Sequence, residues 1–310
     1  MPTRPCRSCL PLLGAAVLLA AAPAFSAEPS GPPGPPEPRN RLVAGTFTVV
    51  RYNPIGLDQQ LSLTFRQRIG DSDDILYKTR FWSVGAMGAW NPANWSARVE
   101  AMFEPIAVFQ LRAAYDTRGY AGSFGALLSS ADPMQCITDA CIGASTAADQ
   151  DYAGMVQGLT LEPALQIAIG PLAVRNTFAV EYSAWSVVPA TDTVVYDPGP
   201  DFLRPASGWT LTENATVGYL GDRFFAGALY QWINPLGLPG NAVHRVGLLG
   251  TFTFFDRGSA HGWFNKPTII ALALFNLAHR GRAGPVPTAI VAFTTESDLL
   301  PATPAAVPAP

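Results

Sequence analysis

Between residues 42 and 297, apolar and polar side chains alternate with a period of two, the repeat of strands whose two faces meet different surroundings. In 94–104, Trp95, Ala97, Val99, Ala101 and Phe103 share one face, and Ser96, Arg98, Glu100, Met102 and Glu104 the other. The same alternation sets Leu61, Leu63, Phe65 and Ile69 against Ser62, Thr64, Arg66 and Arg68. It sets Phe109, Leu111, Ala113 and Tyr115 against Gln110, Arg112 and Asp116, and Leu172, Val174, Phe178, Val180 and Tyr182 against Arg175, Thr177, Glu181 and Ser183. In 245–254 it sets Val246, Leu248, Phe252 and Phe254 against Arg245, Thr251 and Thr253. Turn residues divide the region into about twelve strands, near 43–52, 58–69, 75–90, 93–104, 106–117, 154–169, 171–186, 208–220, 222–233, 242–255, 267–279 and 286–296.

The connections have a rhythm. If the first strand runs outward, four of the five inner-rim turns are short: 70–74, 104–107, 169–172 and 220–223. The longest connections, 117–151 and 187–207, both fall on the opposite rim. Short turns on one rim and long loops on the other is the pattern of outer-membrane barrels. The segment 255–267 is the exception, a long connection where a tight turn is expected.

Composition supports a lipid-facing surface. Charged residues are 14% of the chain, against about 25% in ordinary soluble proteins. The longest apolar run after the N-terminus, near 268–275, is too short for a spanning helix. Arg4 and Arg7 followed by the apolar run 10–22 and small residues read as a signal peptide over 1–27. The alternative, a membrane anchor, suits so short a run less well. Loss of Arg4 and Arg7 makes the mature chain more acidic than its formal −3, so no basic surplus exists to hold nucleic acid. Proline-rich stretches at 28–41 and 298–310 read as disordered tails on the periplasmic side.

An arginine facing lipid at mid-depth costs about 2–4 kcal/mol, so the charged faces must point to the lumen, or to water in a soluble protein. Aromatic residues Tyr52, Trp90, Trp95, Tyr115, Trp185, Trp209 and Trp232 fall near the predicted outer strand ends, as a girdle would. Three places resist. Glu213 shares parity with Leu211 and Val217, and calls for a bulge or a position above the membrane. Pro163 interrupts a strand. The run 268–281 is apolar on both parities and reads equally as a buried helix.

As a whole, 42–297 resembles the Gram-negative-type outer-membrane β-barrel class, porin-like in architecture, with no motif of a named family. The expected fold is therefore all-β: a transmembrane antiparallel up-and-down barrel of about twelve strands. The resemblance implies export to the outer membrane and contact with its lipids. Class members often finish on an aromatic residue, whereas here Phe293 lies inside the last strand and a proline-rich tail follows.

Candidate chemistry is sparse. His244, His261 and His279 are the three histidines, and neither His244 nor His279 has a serine two residues away to form a hydrolase pair. This argues against an enzyme. The pattern calls for no cofactor and no metal site. Cys136 and Cys141 are spaced for a local disulfide in an exported protein. What remains is the lumen. The expected inward charges are Arg66, Arg68, Lys78, Arg80, Arg98, Arg112, Arg175 and Arg245 against Glu100, Asp116, Glu162 and Glu181. A basic track of this kind predicts a narrow passive channel preferring small anionic solutes. The alternatives are a closed barrel whose charges pair across strands, serving adhesion or surface binding through its long loops, and a soluble β-protein. The sequence sets no oligomeric state.

Overall fold

The computed structural model describes residues 38–53, 56–72, 74–121, 127–256, 264–282 and 287–300. The expected signal peptide, most of both expected tails, and His261 lie outside them. Twelve strands form the wall: β1 (Asn40–Tyr52), β2 (Gly56–Arg68), β3 (Phe81–Trp90), β4 (Asn94–Ile106), β5 (Phe109–Tyr120), β7 (Gly154–Ile169), β8 (Leu172–Trp185), β11 (Ser207–Leu220), β12 (Phe224–Pro235), β13 (Val243–Thr253), β14 (Asn265–Ala278) and β15 (Thr288–Asp298). The barrel closes where β15 pairs with β1, and every neighbouring pair is antiparallel. Closure leaves no unpaired edge, the condition for spanning lipid with strands.

Between β5 and β7 lie β6 (Leu128–Ser130) and helix α1 (Asp139–Ala147). Between β8 and β11 lie β9 (Val194–Asp197) and β10 (Phe202–Pro205). These three short strands form a second sheet in the order β10-β9-β6. The sheet and helix belong to the rim that carries the long connections; both ends of the barrel wall lie at the other rim.

Strand parity sorts the wall as the alternation predicts. Leu61, Leu63, Val84, Val99, Phe103, Leu159, Leu165, Ile167, Leu172 and Leu248 are exposed on the outside, the continuous apolar surface that acyl chains require. Inside, the two halves of the wall differ. Along β12 to β15 and β1, Phe225, Leu229, Leu249, Ile270, Leu272, Leu274, Ile290, Ala292 and Val49 form one buried apolar cluster. Phe225 lies over Gly218 and Gly227, where an added Cβ would stand 2.6 and 2.8 Å from its ring. Along β2 to β8 the inner face is polar and charged.

Several elements differ from expectation. The strand expected over 75–90 starts only at Phe81, because Asp74 caps a turn through Tyr77 and Lys78. Lys78 and Arg80 therefore sit in the β2–β3 connection, not on the lumen wall. The ambiguous run at 268–281 is strand β14 through Ala278, with Ile270, Leu272 and Leu274 buried in the lumen cluster and Ile269, Phe275 and Leu277 exposed outside. Pro163 stays within β7: the ladder to β5 continues through Pro163 opposite Leu111, while the ladder to β8 skips Glu162 and Pro163. Glu213 is not turned away by a bulge, since β11 pairs without interruption on both sides.

Candidate functional site

The mouth of the barrel on the long-loop rim is filled by the chain itself. Residues 194–204, which comprise β9, the turn Pro198-Gly199-Pro200-Asp201 and most of β10, are buried throughout. We call this segment the cork. Its apolar side chains key into three places. Val195 packs with Tyr120, Leu127, Val156 and Trp185. Phe202 packs with Ile233 and Val243. Val194, Tyr196 and Leu203 pack with Leu128, Ile137 and Leu238.

Polar contacts pin the cork to the wall. Arg51 on β1 donates to Gly199 O at 2.6 Å, and Arg245 on β13 donates to Pro200 O at 2.6 Å. Arg204, 2% exposed, reaches Asp197 at 2.7 Å and Glu181 on β8 at 3.0 Å. From there an ion ladder descends the wall. Glu181 faces Arg118 at 3.5 Å, Arg118 meets Asp116 at 3.0 Å, and Asp116 lies 3.9 Å from Arg98. Lower down, Arg112 bridges Glu162 at 2.9 Å and Glu100 at 3.6 Å. Arg175 donates to Gln166 and Gln110, and Gln110 donates to Glu104.

Asp201 is the hub above. It accepts from Tyr196 Oη at 2.6 Å and from Arg282 Nε at 2.7 Å. It holds a left-handed backbone (φ 63°), which costs a non-glycine residue energy and persists only where its surroundings impose it. Tyr196 is raised well above its ordinary value by burial, with the Asp201 carboxylate adding to the shift, so it remains a neutral donor. The other loops interlock over the cork. Arg280 donates to Pro133 O, Gln135 O and Asn241 Oδ1. Arg282 pairs with Asp139 at the start of α1, and Thr138 caps that helix. Cys136 and Cys141 form the disulfide beside it.

The residues singled out from sequence are placed as follows. Arg66, Arg68, Arg98, Glu100, Arg112, Asp116, Glu162, Arg175, Glu181 and Arg245 lie on inward-facing strand positions. Arg66 stacks 3.7 Å over the Phe81 ring. The inward wall also holds residues that the sequence reading passed over: Arg41, paired with Asp298 at 2.8 Å, Arg51, Asp58, Glu104 and Arg118. With Asp298 counted, these additions balance in charge, and the expected excess of basic over acidic side chains is smaller because Lys78 and Arg80 lie off the wall. Tyr52, Trp90, Trp95, Tyr115 and Trp209 are exposed on the outer face, and Trp232 lies on that face half-buried. Trp185 differs. It points inward, 6% exposed, with its indole N–H donated to Ser183. Its odd parity with Glu181 and Ser183 was visible in the sequence. The cork carried no comparable signal, because Arg51 and Arg245, the wall residues that hold its turn, are distant in sequence.

His244 bonds Tyr230 Oη at 2.8 Å, and His279 Nε2 meets Asp201 O at 2.5 Å. Neither has a serine partner among the described residues. No group of three His, Cys, Asp or Glu side chains there could hold a metal ion.

The chain thus forms a closed, twelve-stranded antiparallel barrel, the architecture with which strands can span a membrane, with its mouth occupied by its own loop. No family model matches the sequence, and no curated protein matches it. Among solved structures it is similar to the KdgM porin (8% identity, TM-score 0.39, covering 82% of this chain and 98% of that one). It is similar to the NanC porin (9%, 0.39, 83% and 100%) and to the β domain of the Bordetella autotransporter BrkA (12%, 0.40, 84% and 99%). These overlaps are loose, and the functional reading rests on this chain's own residues.

Proposed function

We propose that this protein is an outer-membrane channel for small solutes whose outer mouth is closed at rest by the cork, and that it prefers anions when the cork withdraws. The carrying observation is the burial of 194–204 inside the mouth by contacts to Arg51, Arg245 and Glu181 on three separate strands. A segment held by side-chain clips across a barrel can leave without unzipping the wall. Withdrawal removes the cork's Asp197 and Asp201 and uncovers Arg51, Arg118 and Arg245. Farther down, Arg98, Arg112 and Arg175 continue the line of guanidinium groups along the inner wall, with Arg98 and Arg112 paired to carboxylates, a basic track of the kind that favours anions. The narrow charged wall focuses that field. The orientation that follows puts both ends of the wall in the periplasm. The reading makes the protein a transporter and not an enzyme.

The folded cap favours a second reading. A three-stranded sheet, a helix and a disulfide are more structure than a simple stopper requires, and they fit a closed barrel that presents its cap to a surface ligand. Bilayer conductance separates the two. The wild type should give brief steps, and replacing 194–204 by a short Gly-Ser linker should give steady current with an anion-favouring reversal potential. A cation-favouring potential removes the anion preference. Silence from both proteins removes the channel and leaves the cap-presenting barrel.

A further inference from the structure

The outer wall contains one chemical contradiction. Among the described strand residues, Glu213 is the only carboxylate at an outward-facing position of the barrel. Its strand pairs without a break, Glu213 standing opposite Phe178 on β8 and Trp232 on β12. It therefore cannot be hidden in the lumen. Nor does it lie above the membrane. On the same strand it falls between Trp209, packed edge-on against Tyr182, and Tyr219, stacked on Phe224. Those two aromatic pairs mark the two interfaces, so Glu213 lies at hydrocarbon depth.

It has one local partner. Asn176, also outward-facing, donates Nδ2–H to Glu213 Oε1 at 2.8 Å. Among the described residues, Glu213 Oε2 and Asn176 Oδ1 have none, and the second Asn176 amide hydrogen is also unused. Acyl chains offer these atoms nothing, and a polar side chain at that depth normally faces protein or water.

We propose that a second copy of this chain covers this spot in a two-fold contact, the Asn176 amide of each copy donating to Glu213 Oε2 of the other. The pair is self-complementary: each copy brings a spare donor on Asn176 and a spare acceptor on Glu213, and a two-fold axis matches each with its counterpart. Ala215, the next outward residue on β11, is small enough to let two walls approach. This inference is independent of whether the barrel conducts.

The test uses the mature full chain, in mild detergent and in liposomes. Sedimentation equilibrium should give a dimer for the wild type. N176L/E213L should raise the dimer dissociation constant at least tenfold, while E213Q, which retains hydrogen-bonding capacity, should stay dimeric. A215C should cross-link between copies under mild oxidation, Cys136 and Cys141 being already bonded to each other. That measurement decides the question even if the double variant fails to fold. A monomeric wild type, a dimer unaffected by N176L/E213L, or a dimer in which A215C does not cross-link would overturn the proposal.

Discussion

His279 is the residue in the cap on which acidity acts. Its Nδ1 accepts from the Gly281 backbone N–H at 3.0 Å, so the proton sits on Nε2, which is donated to Asp201 O. A second proton on Nδ1 would face that N–H head-on. Burial lowers the imidazole below its ordinary value; Asp201 opposes the shift, and Arg245 and Arg282 add to it. The surrounding charges are Asp201 on the cork, Arg51 and Arg245 on the wall, and Arg282 with its partner Asp139, while Tyr196 stays neutral. The closed cork thus binds fewer protons at His279 than the open one. Its stability is complete above the ordinary histidine value of about 6.5 and falls as pH drops below it. Open probability in single-channel records should rise between pH 7 and pH 5, and H279Q should flatten that rise. An unchanged slope in H279Q would assign the acid response elsewhere.

At the scale of elements, the cork hangs on Arg204. Removing one partner of a buried ion pair typically costs about 3–5 kcal/mol, and R204A leaves Asp197 without its ion-pair partner and Glu181 with Arg118 alone. The expected result is a cork released far more often, read as longer openings and as protease cleavage within 186–206, while the barrel keeps its strand content. The two faces of one hairpin give a sharper contrast. Ile270 on β14 is 1% exposed in the lumen cluster, whereas Leu248 on β13 is 67% exposed outside. I270A should cost about 2–5 kcal/mol in urea unfolding from lipid, as a cavity in a packed core does. L248A should cost a small fraction of that, because acyl chains fill the gap. Equal losses would mean that this apolar cluster is not packed.

These faces were legible because a period of two is a local property. Arg98 and Val99 announce opposite environments without reference to any other strand. Twelve strands and the sorting of loops by rim followed from the same short-range pattern. Lys78 and Arg80 fall at a strand end, where the turn capped by Asp74 overrides parity, whereas Trp185 obeys parity and faces inward with Glu181 and Ser183. The cork was not legible. Arg51 and Gly199 stand far apart in sequence, and nothing around Val194–Arg204 distinguishes a segment folded inward from one waving above the membrane. Glu213 is the instructive case. Its parity was right, and an assumed bulge concealed what that parity meant.

Across the whole molecule, the lumen is two-sided: leucine, isoleucine and phenylalanine from β12 round to β1, salt-bridged arginines from β2 to β8. Opened as proposed above, such a lumen would be less a sieve than a guide rail. A traveller with a hydrocarbon edge and a carboxylate would keep its orientation along the whole path, its oily side gliding on one wall while its charge passes from guanidinium to guanidinium on the other. A compact ion such as chloride would use only half the road.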